Sequence, residues 1–288
     1  MRRRFFVERF EGDGAVMSGE AAHHLGRVLR AEVGQIYELS DGQRVRLGRV
    51  ERVGRDRVEF ALLEEIPAYR PAVEVTLLLA IVKFDAMEWA LEKATELGVR
   101  RIVPLAAARS EKGLVAAAGK RAERWGKILL EASQQSRRVN VPELGAVGKP
   151  EDAFAGCGEG LRILLSERAG AAGLKRVLGG AVDAGELGNT EESKARPRFE
   201  GETWGTRENR RQDPGSQTEP GAPAGLAQHA APLQKSVAMG IGPEGGWTDA
   251  ELEAARKAGF QEASLGGLIL RAETAVVAAL AAVNYELS

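Results

Sequence analysis

The sequence predicts two domains: a small antiparallel β domain over residues 1–70, followed by an α/β domain with a parallel sheet over residues 73–288. Three observations predict this fold class. The chain has 288 residues, which is more than one domain commonly holds. Apolar and charged residues alternate between positions 35 and 65, as in antiparallel strands with one wet face. Residues 73–82 form a near-continuous apolar run, which is typical of a buried parallel strand.

In the first domain, the pattern predicts three strands and one short helix. The strands span residues 35–40, 44–53 and 57–65, and Asp41-Gly42 supplies a turn between the first two. The helix begins at Ser18 or Glu20 and runs to Leu29. Short strands joined by turns indicate a small barrel.

In the second domain, strands alternate with helices, and this order predicts a parallel sheet. Asp85 and Glu88 have the N-cap and N3 spacing of a helix start, and Gly98 ends that helix. The later elements are a strand at 101–105, a helix at 120–137, and strands at 161–166 and 237–241.

The composition excludes several classes of protein. Forty basic and 41 acidic residues give a net charge of −1, so the chain is not cationic overall. One cysteine and three histidines argue against disulfides and against a zinc site, and we expect no metal. We expect no signal peptide, because Glu8 and Arg9 interrupt the N-terminus before an apolar run forms. No run reaches the length of a membrane span, and the protein is expected in the cytoplasm.

Residues 183–235 interrupt the strand and helix pattern. These 53 residues contain five of the eleven prolines and few large apolar side chains. Such a segment cannot bury enough apolar surface to offset the entropy lost on ordering. We therefore predict a disordered and dispensable insertion in a loop.

Two C-terminal motifs are candidates for a ligand site. The first is a glycine-rich stretch around Pro243 directly after a buried strand, followed by Thr248 and Glu251 with capping-box spacing. The second places Arg271, Glu273 and Thr274 before residues 276–283, a helix that is apolar on every face and so is expected to be buried all round. The alternatives are an ordinary turn for the first motif and a local Arg271–Glu273 ion pair for the second.

A cluster of positive charge lies between residues 100 and 140. It contains ten basic residues against three acidic ones, a difference of +7 within a chain of net charge −1. A solvated helix face is the ordinary explanation. The concentration of charge nevertheless favours a partner with a phosphate backbone.

Taken together, the motifs resemble those of the RsmE family, which are 16S rRNA (uridine-N3) methyltransferases of the SPOUT class. The resemblance covers about residues 1–182 and 236–288. It rests on five matches: Gly242-Pro243-Glu244-Gly245-Gly246, Leu265-Gly266-x-x-Ile269-Leu270-Arg271-x-Glu273-Thr274-Ala275, His24-Leu25-Gly26-Arg27-Val28-Leu29-Arg30, Lys93-Ala94-Thr95-Glu96-Leu97-Gly98-Val99 and Gln135-Ser136-x-Arg138.

The resemblance implies a PUA-like β-barrel over residues 1–70 that binds RNA. It also implies a SPOUT α/β domain over residues 73–288 with a trefoil knot. Members of the class bind S-adenosylmethionine between three loops and work as homodimers. The expected substrate is therefore a uridine of 16S rRNA, within the small ribosomal subunit.

The resemblance also implies roles for individual residues. Arg138 and Arg271 are expected to stabilise the uridine anion or to bind the RNA phosphates, and Glu273 is a candidate base. The residues expected to bind RNA are Arg4, His24, Arg27, Arg30, Lys83 and Arg109. Those expected to bind the cofactor are Leu165, Ser166, Glu167, Ile241, Gly242, Pro243, Glu244, Gly245, Gly246, Leu265, Gly266, Ile269, Leu270 and Thr274.

Two other functions stay open at this point. The chain could be a SPOUT methyltransferase that acts on another RNA or another atom. It could also be a non-catalytic RNA-binding module. Binding of S-adenosylmethionine would separate an enzyme from such a module.

Overall fold

A computed structural model describes residues 3–186 and 235–287. The chain forms two sheets, one of six strands and one of seven. Each sheet has its own apolar core, the first around Leu39 and Phe60 and the second around Leu77 and Val276. No helix in the described ranges is long and apolar enough to cross a bilayer.

The first sheet is antiparallel except where β1 runs parallel to β4, and its strand order is β1-β4-β5-β6-β3-β2. In β6, buried Val58, Phe60 and Leu62 alternate with more exposed residues, as the pattern predicted. The described strand pairs do not close the two sheet edges on each other. The elements are β1 (Arg4–Phe6), β2 (Phe10–Glu11), β3 (Gly14–Ser18), α1 (Gly19–His23), β4 (Ile36–Ser40), β5 (Val45–Val53) and β6 (Arg57–Glu65).

A wider, π-type helical turn, His24–Val28, continues α1, and Leu29 N–H donates to the carbonyl of His24. The short helix predicted up to Leu29 is therefore present, although its second half is wound more loosely. This turn leaves His24 and Arg27 exposed.

The second sheet is parallel throughout and confirms the predicted α/β class. Its strand order is β11-β13-β10-β12-β7-β8-β9. Helices and strands follow in this order: β7 (Val73–Ala80), α2 (Phe84–Glu96), β8 (Arg101–Leu105), α3 (Lys112–Ala118), α4 (Ala122–Gln135), β9 (Glu143–Leu144), α5 (Pro150–Ala155), β10 (Leu161–Leu165), β11 (Ala172–Gly173), α6 (Leu174–Glu186), β12 (Lys235–Ile241), α7 (Asp249–Lys257), β13 (Gln261–Ser264) and α8 (Ala272–Leu287).

Several details differ from the sequence prediction, which placed three strands in the first domain, where the sheet has six, and no strand at β13. Lys83, not Asp85, is the N-cap of α2, and Glu88 pairs with Arg124 instead of capping the helix. The helix predicted at 120–137 is α4 preceded by α3 and a short 3₁₀ turn. α6 continues through Glu186, past the predicted start of the insertion at 183. The rest of the predicted insertion, residues 187–234, lies outside the described residues.

The helix predicted to be buried all round is α8, and it is buried on one side only in the single chain. Val276, Leu280 and Val283 are buried, whereas Ala281 is exposed and Tyr285 is 85% exposed. α8 packs against α2 and α6. The remaining face is apolar and open.

Buried polar contacts join the two sheets. Glu38 Oε2 lies 2.9 Å from an Arg4 guanidinium nitrogen, and Arg137 approaches the other carboxylate oxygen at 3.5 Å. Arg4 also donates to the carbonyl of Arg137, and Ser40 Oγ donates to the carbonyl of Val139. Arg4 is only 5% exposed. Its guanidinium is used inside the protein, which argues against the predicted role of Arg4 in RNA binding.

Candidate functional site

A pocket of about 540 Å³ lies where β10, β12 and β13 end. These strands are neighbours in the sheet, so their carboxyl ends meet at one edge. Ligands of open parallel sheets bind at such an edge, beyond the carboxyl ends of the strands. All the residues predicted to bind the cofactor line this pocket except Thr274.

The first wall follows β10. Leu165 is buried at the strand end, and Ser166 and Glu167 continue into the loop. Ser166 N–H donates to the carbonyl of Ala263 over 2.9 Å, which ties this loop to the end of β13. The indole N–H of Trp247 donates to the carbonyl of Leu165 over 3.0 Å. The wall is therefore fixed from two sides.

The second wall is the glycine loop, which comprises residues 242–246 after β12. Gly246 N–H donates to the carbonyl of Pro243 over 2.8 Å and closes a tight turn. Gly246 has a φ of +68°, a conformation that glycine adopts without a steric penalty. A Cβ on Gly242 would lie 3.1 Å from the Trp247 indole. The glycines thus let the backbone form this wall.

The third wall runs from Ser264 to Leu270, after β13. Ser264 Oγ donates to the carbonyl of Gly266 over 2.9 Å and accepts from Gly266 N–H over 3.2 Å. Gly266 has a φ of +132°. Beyond it, Leu268 and Ile269 are largely exposed. This wall therefore presents apolar side chains and open backbone to the pocket mouth.

The predicted capping box of α7 is confirmed. Thr248 Oγ1 accepts from Glu251 N–H, and Glu251 Oε2 accepts from Thr248 N–H over 2.8 Å. Glu251 is 7% exposed, and its second oxygen accepts from Ala108 N–H over 2.8 Å. The long-range contact to Ala108 was not predicted from the sequence.

Arg109 lines the pocket, although it was predicted to bind RNA. One of its terminal nitrogens donates to the carbonyl of Gly245 over 2.6 Å and to that of Trp247 over 3.2 Å. The guanidinium is therefore engaged with the glycine loop.

Arg271, Glu273 and Thr274 do not line the pocket, although their neighbours Leu270, Ala272 and Ala275 do. The carbonyl of Arg271 accepts from Ala275 N–H at the start of α8, and Glu273 lies in the first turn. Both follow Leu270, which lines the pocket. The local ion pair considered for Arg271 and Glu273 is not among the ion pairs of the described residues, and both side chains are at least partly exposed.

Arg138 is not brought to the pocket. Its guanidinium donates to the carbonyls of Thr95 and Val99, each over 2.7 Å, and to that of Asn140 over 3.1 Å. Burial lowers the pKa of Arg138 to about 10, and the charge of Arg100 acts in the same direction. Three of its five N–H donors hold backbone, so the geometry argues against the predicted catalytic role.

The remaining predicted RNA-binding residues are exposed: His24, Arg27, Arg30 and Lys83. The cluster of positive charge between residues 100 and 140 is partly neutralised by acidic side chains. Arg121 and Arg124 both approach Glu88, at 3.5 and 2.7 Å. Lys127 of the same helix reaches Glu20 at the start of α1 over 3.4 Å.

Several pocket residues were not predicted from the sequence. Trp247 lines the pocket, and residues 168–171 extend the first wall. Arg168 pairs with Asp249 at 3.2 Å. The one signal that could have identified Trp247 is its place directly after the glycine loop.

Two family models match the chain. That of an RNA methyltransferase domain matches residues 69–184 and 214–284, and that of an RNA methyltransferase PUA domain matches residues 18–63. The segment that the first model leaves out, 185–213, lies inside the predicted insertion.

Individual proteins are similar over most of the chain. Ribosomal RNA small subunit methyltransferase E of Bacillus subtilis is 29% identical, and the match covers 99% of this chain and 96% of that protein. The protein of the same name from Synechocystis is 30% identical, over 91% of this chain and 70% of that protein. The crystal structure of ribosomal RNA small subunit methyltransferase E from Neisseria gonorrhoeae, bound to S-adenosyl methionine, shares the fold. Its TM-score is 0.70 at 24% identity, and the match covers 98% of this chain and 96% of that one.

Proposed function

Because the chain belongs to the RNA methyltransferase family whose domain model matches most of its length, we propose that it methylates N3 of a uridine in 16S rRNA, with S-adenosylmethionine as methyl donor. One observation carries the proposal. Three segments that are far apart in the sequence meet around a single pocket at the ends of adjacent parallel strands. The names of the similar proteins support ribosomal RNA of the small subunit as the substrate.

The residues of the pocket fit S-adenosylmethionine. A volume of about 540 Å³ falls in the usual range for small-molecule sites, roughly 300–1,000 Å³. Leu165, Ile241 and Leu265 provide apolar surface, and Gly266, with open space where a Cβ would be, leaves backbone groups accessible to polar parts of a ligand. When bound, the cofactor supplies an electrophilic methyl group on a sulfonium.

Methylation of the uridine requires a proton acceptor and a group that stabilises negative charge. Its N3 carries a proton at neutral pH, so a base must accept that proton and the resulting charge on O2 and O4 must be stabilised. Glu273 is the candidate base and Arg271 the candidate anion stabiliser, because both stand beside the pocket rim at the start of α8. N3 also lies on the Watson–Crick edge of the uracil, so the uridine must be unpaired for N3 to reach the site.

The PUA domain and the start of α2 supply the RNA contacts in this proposal. His24, Arg27 and Arg30 project from or directly follow the π-type turn, and Lys83 is exposed at the start of α2. Basic side chains of this kind bind phosphates and fix orientation without reading sequence. Recognition of one uridine then depends on the shape of the RNA and on the pocket.

We include a homodimer, a trefoil knot and a cytoplasmic location in the proposal. The open apolar face of α8, with Tyr285 at its end, supports a second copy as a partner. β10 and β11 are consecutive strands in the chain, and β13 lies between them in the sheet. This order supports a knot in which the C-terminal segment is threaded between earlier parts of the chain. A cytoplasmic location follows from a ribosomal RNA substrate.

Mass mapping of ribosomal RNA tests the function directly. Small-subunit RNA from a deletion strain should lack one methylated uridine, and complementation should restore it at N3. Methylation of another RNA or another atom would contradict the proposed substrate. Calorimetry with S-adenosylmethionine that shows no binding would leave only an RNA-binding module.

For Arg138, we expect a loss of stability without a loss of chemistry. Arg138→Ala leaves three carbonyls without their charged donor and should lower the free energy of unfolding by about 2–3 kcal/mol. The single-turnover rate and the salt dependence of RNA binding should stay at wild-type values. A rate loss of about 10²-fold at unchanged stability would instead restore a catalytic role.

A further inference from the structure

Two side chains hold the glycine loop and the residues just after it: Arg109, which lines the pocket, and Glu251, which does not. Arg109 belongs to the β8–α3 loop, which comprises residues 106–111, and it donates to the carbonyls of Gly245 and Trp247. Its aliphatic stem lies 3.3 Å from where a Cβ on Gly245 would be, so it also packs along the loop. Its contacts are thus both polar and apolar.

Glu251 links the β8–α3 loop to Thr248, which lies two residues after the glycine loop. One carboxylate oxygen accepts from Ala108 N–H, next to Arg109, and the other accepts from Thr248 N–H and Thr248 Oγ1. Glu251 is buried, and none of the ion pairs of the described residues includes it. A buried carboxylate satisfied by backbone N–H groups fixes the geometry of the groups that donate to it.

These contacts fix the backbone that forms one wall of the cofactor pocket. A carbonyl and the next N–H of a peptide point in opposite directions, so fixing the carbonyls of Gly245 and Trp247 also orients the following N–H groups. A ligand that binds a loop already held in its bound conformation loses less entropy than one that must order the loop.

We propose that Arg109 and Glu251 are positioning residues that hold the glycine loop in its cofactor-binding conformation. This inference rests on the proposed function for the identity of the cofactor. It replaces the phosphate-binding role that the sequence predicted for Arg109. The two roles make opposite predictions about which ligand is affected when the guanidinium is removed.

The decisive variant is Arg109→Met, which keeps an apolar stem but removes every donor. We expect the Kd for S-adenosylmethionine to rise roughly 10- to 100-fold, the loss typical of hydrogen bonds to a charged group. The KM for the cofactor should rise with it, while kcat and the KM for RNA change little. Hydrogen exchange at Gly246 N–H should become faster even without the cofactor, because the turn is held less firmly.

Two further variants separate positioning from general stability. Arg109→Lys keeps a donor within reach of the carbonyls and should recover part of the affinity. Arg256→Ala, on the exposed side of α7, removes an arginine whose ion pairs within the described ranges are with Glu253 and Glu262, and it should leave the affinity unchanged. Thermal unfolding of each variant shows whether it is folded.

The outcomes are distinct. Unchanged cofactor affinity and unchanged exchange in Arg109→Met would overturn the inference. Weaker RNA binding with a salt slope reduced by about one, at normal cofactor affinity, would also overturn it and restore the phosphate role. A wild-type protein that does not bind S-adenosylmethionine would contradict the proposed function. Faster hydrogen exchange at Gly246 in Arg109→Met would even then support the inference that Arg109 holds the glycine loop.

Discussion

Replacing Gly266 with valine is expected to abolish binding of S-adenosylmethionine in a protein that still folds. Gly266 has a φ of +132°, and a β-branched residue in that region is strained by about 1–3 kcal/mol. The new side chain also stands in the wall of the pocket. If the third wall relaxes to relieve the strain, the pocket changes shape. If it stays strained, the valine side chain occupies space that the ligand needs. We therefore expect a loss of affinity of about 100-fold or more, measured by calorimetry.

Gly34→Val is the matched control. Gly34 has a φ of +90° and open space around it, but it lies in the first domain, away from the pocket. The Gly34→Val substitution should impose backbone strain similar to that of Gly266→Val and leave cofactor affinity unchanged. RNA affinity should survive in Gly266→Val. Wild-type cofactor affinity in a folded Gly266→Val would move the site away from the third wall.

Removing the carboxylate of Glu38 is expected to produce the largest loss of stability. Glu38 is 6% exposed and pairs with Arg4, which is equally buried, and with Arg137 across the junction between the sheets. Truncating one partner of a buried pair leaves the other charge uncompensated. Glu38→Ala should lower the free energy of unfolding by about 3–5 kcal/mol in denaturant titrations.

The control for Glu38 lies in the same sheet. Glu59 pairs with Arg57 on the surface, and Glu59→Ala should cost at most about 1 kcal/mol. Arg4→Met combined with Glu38→Leu should recover much of the loss, because well-packed apolar residues often replace a buried pair without penalty. If Glu38→Ala and Glu59→Ala cost the same, the buried contacts do not fasten the two sheets.

Hydrophobic patterning predicted much of the fold. The strands β6 and β8 begin and end where the sequence placed them, and the parallel sheet follows from the alternation of apolar strands and helices. α3 was missed. Its short, alanine-rich sequence carries no strong amphipathic period and no capping signal. The start of α2 was misplaced because Glu88, which has the spacing of a capping residue, is used by Arg121 and Arg124 instead.

Apart from Thr274, the residues predicted to bind the cofactor line the pocket, because their signal is local. Gly242 follows an apolar strand, and Thr248 with Glu251 carries its capping box within four residues. The family models confirm the resemblance inferred from these motifs. The ligand, the uridine and the catalytic roles remain predictions.

The sequence by itself predicted the parallel sheet, part of the order of its strands and helices, and the residues of the three pocket loops, because these signals depend on neighbouring residues. The tertiary structure alone shows what the side chains of Arg4, Arg109 and Arg138 contact. Each was expected to touch RNA or uridine, and each donates to backbone carbonyls distant in sequence. Every residue carries a carbonyl, so an acceptor of this kind leaves no trace in the order of side chains. Only the folded chain shows which carbonyls lack a donor and which arginine reaches them.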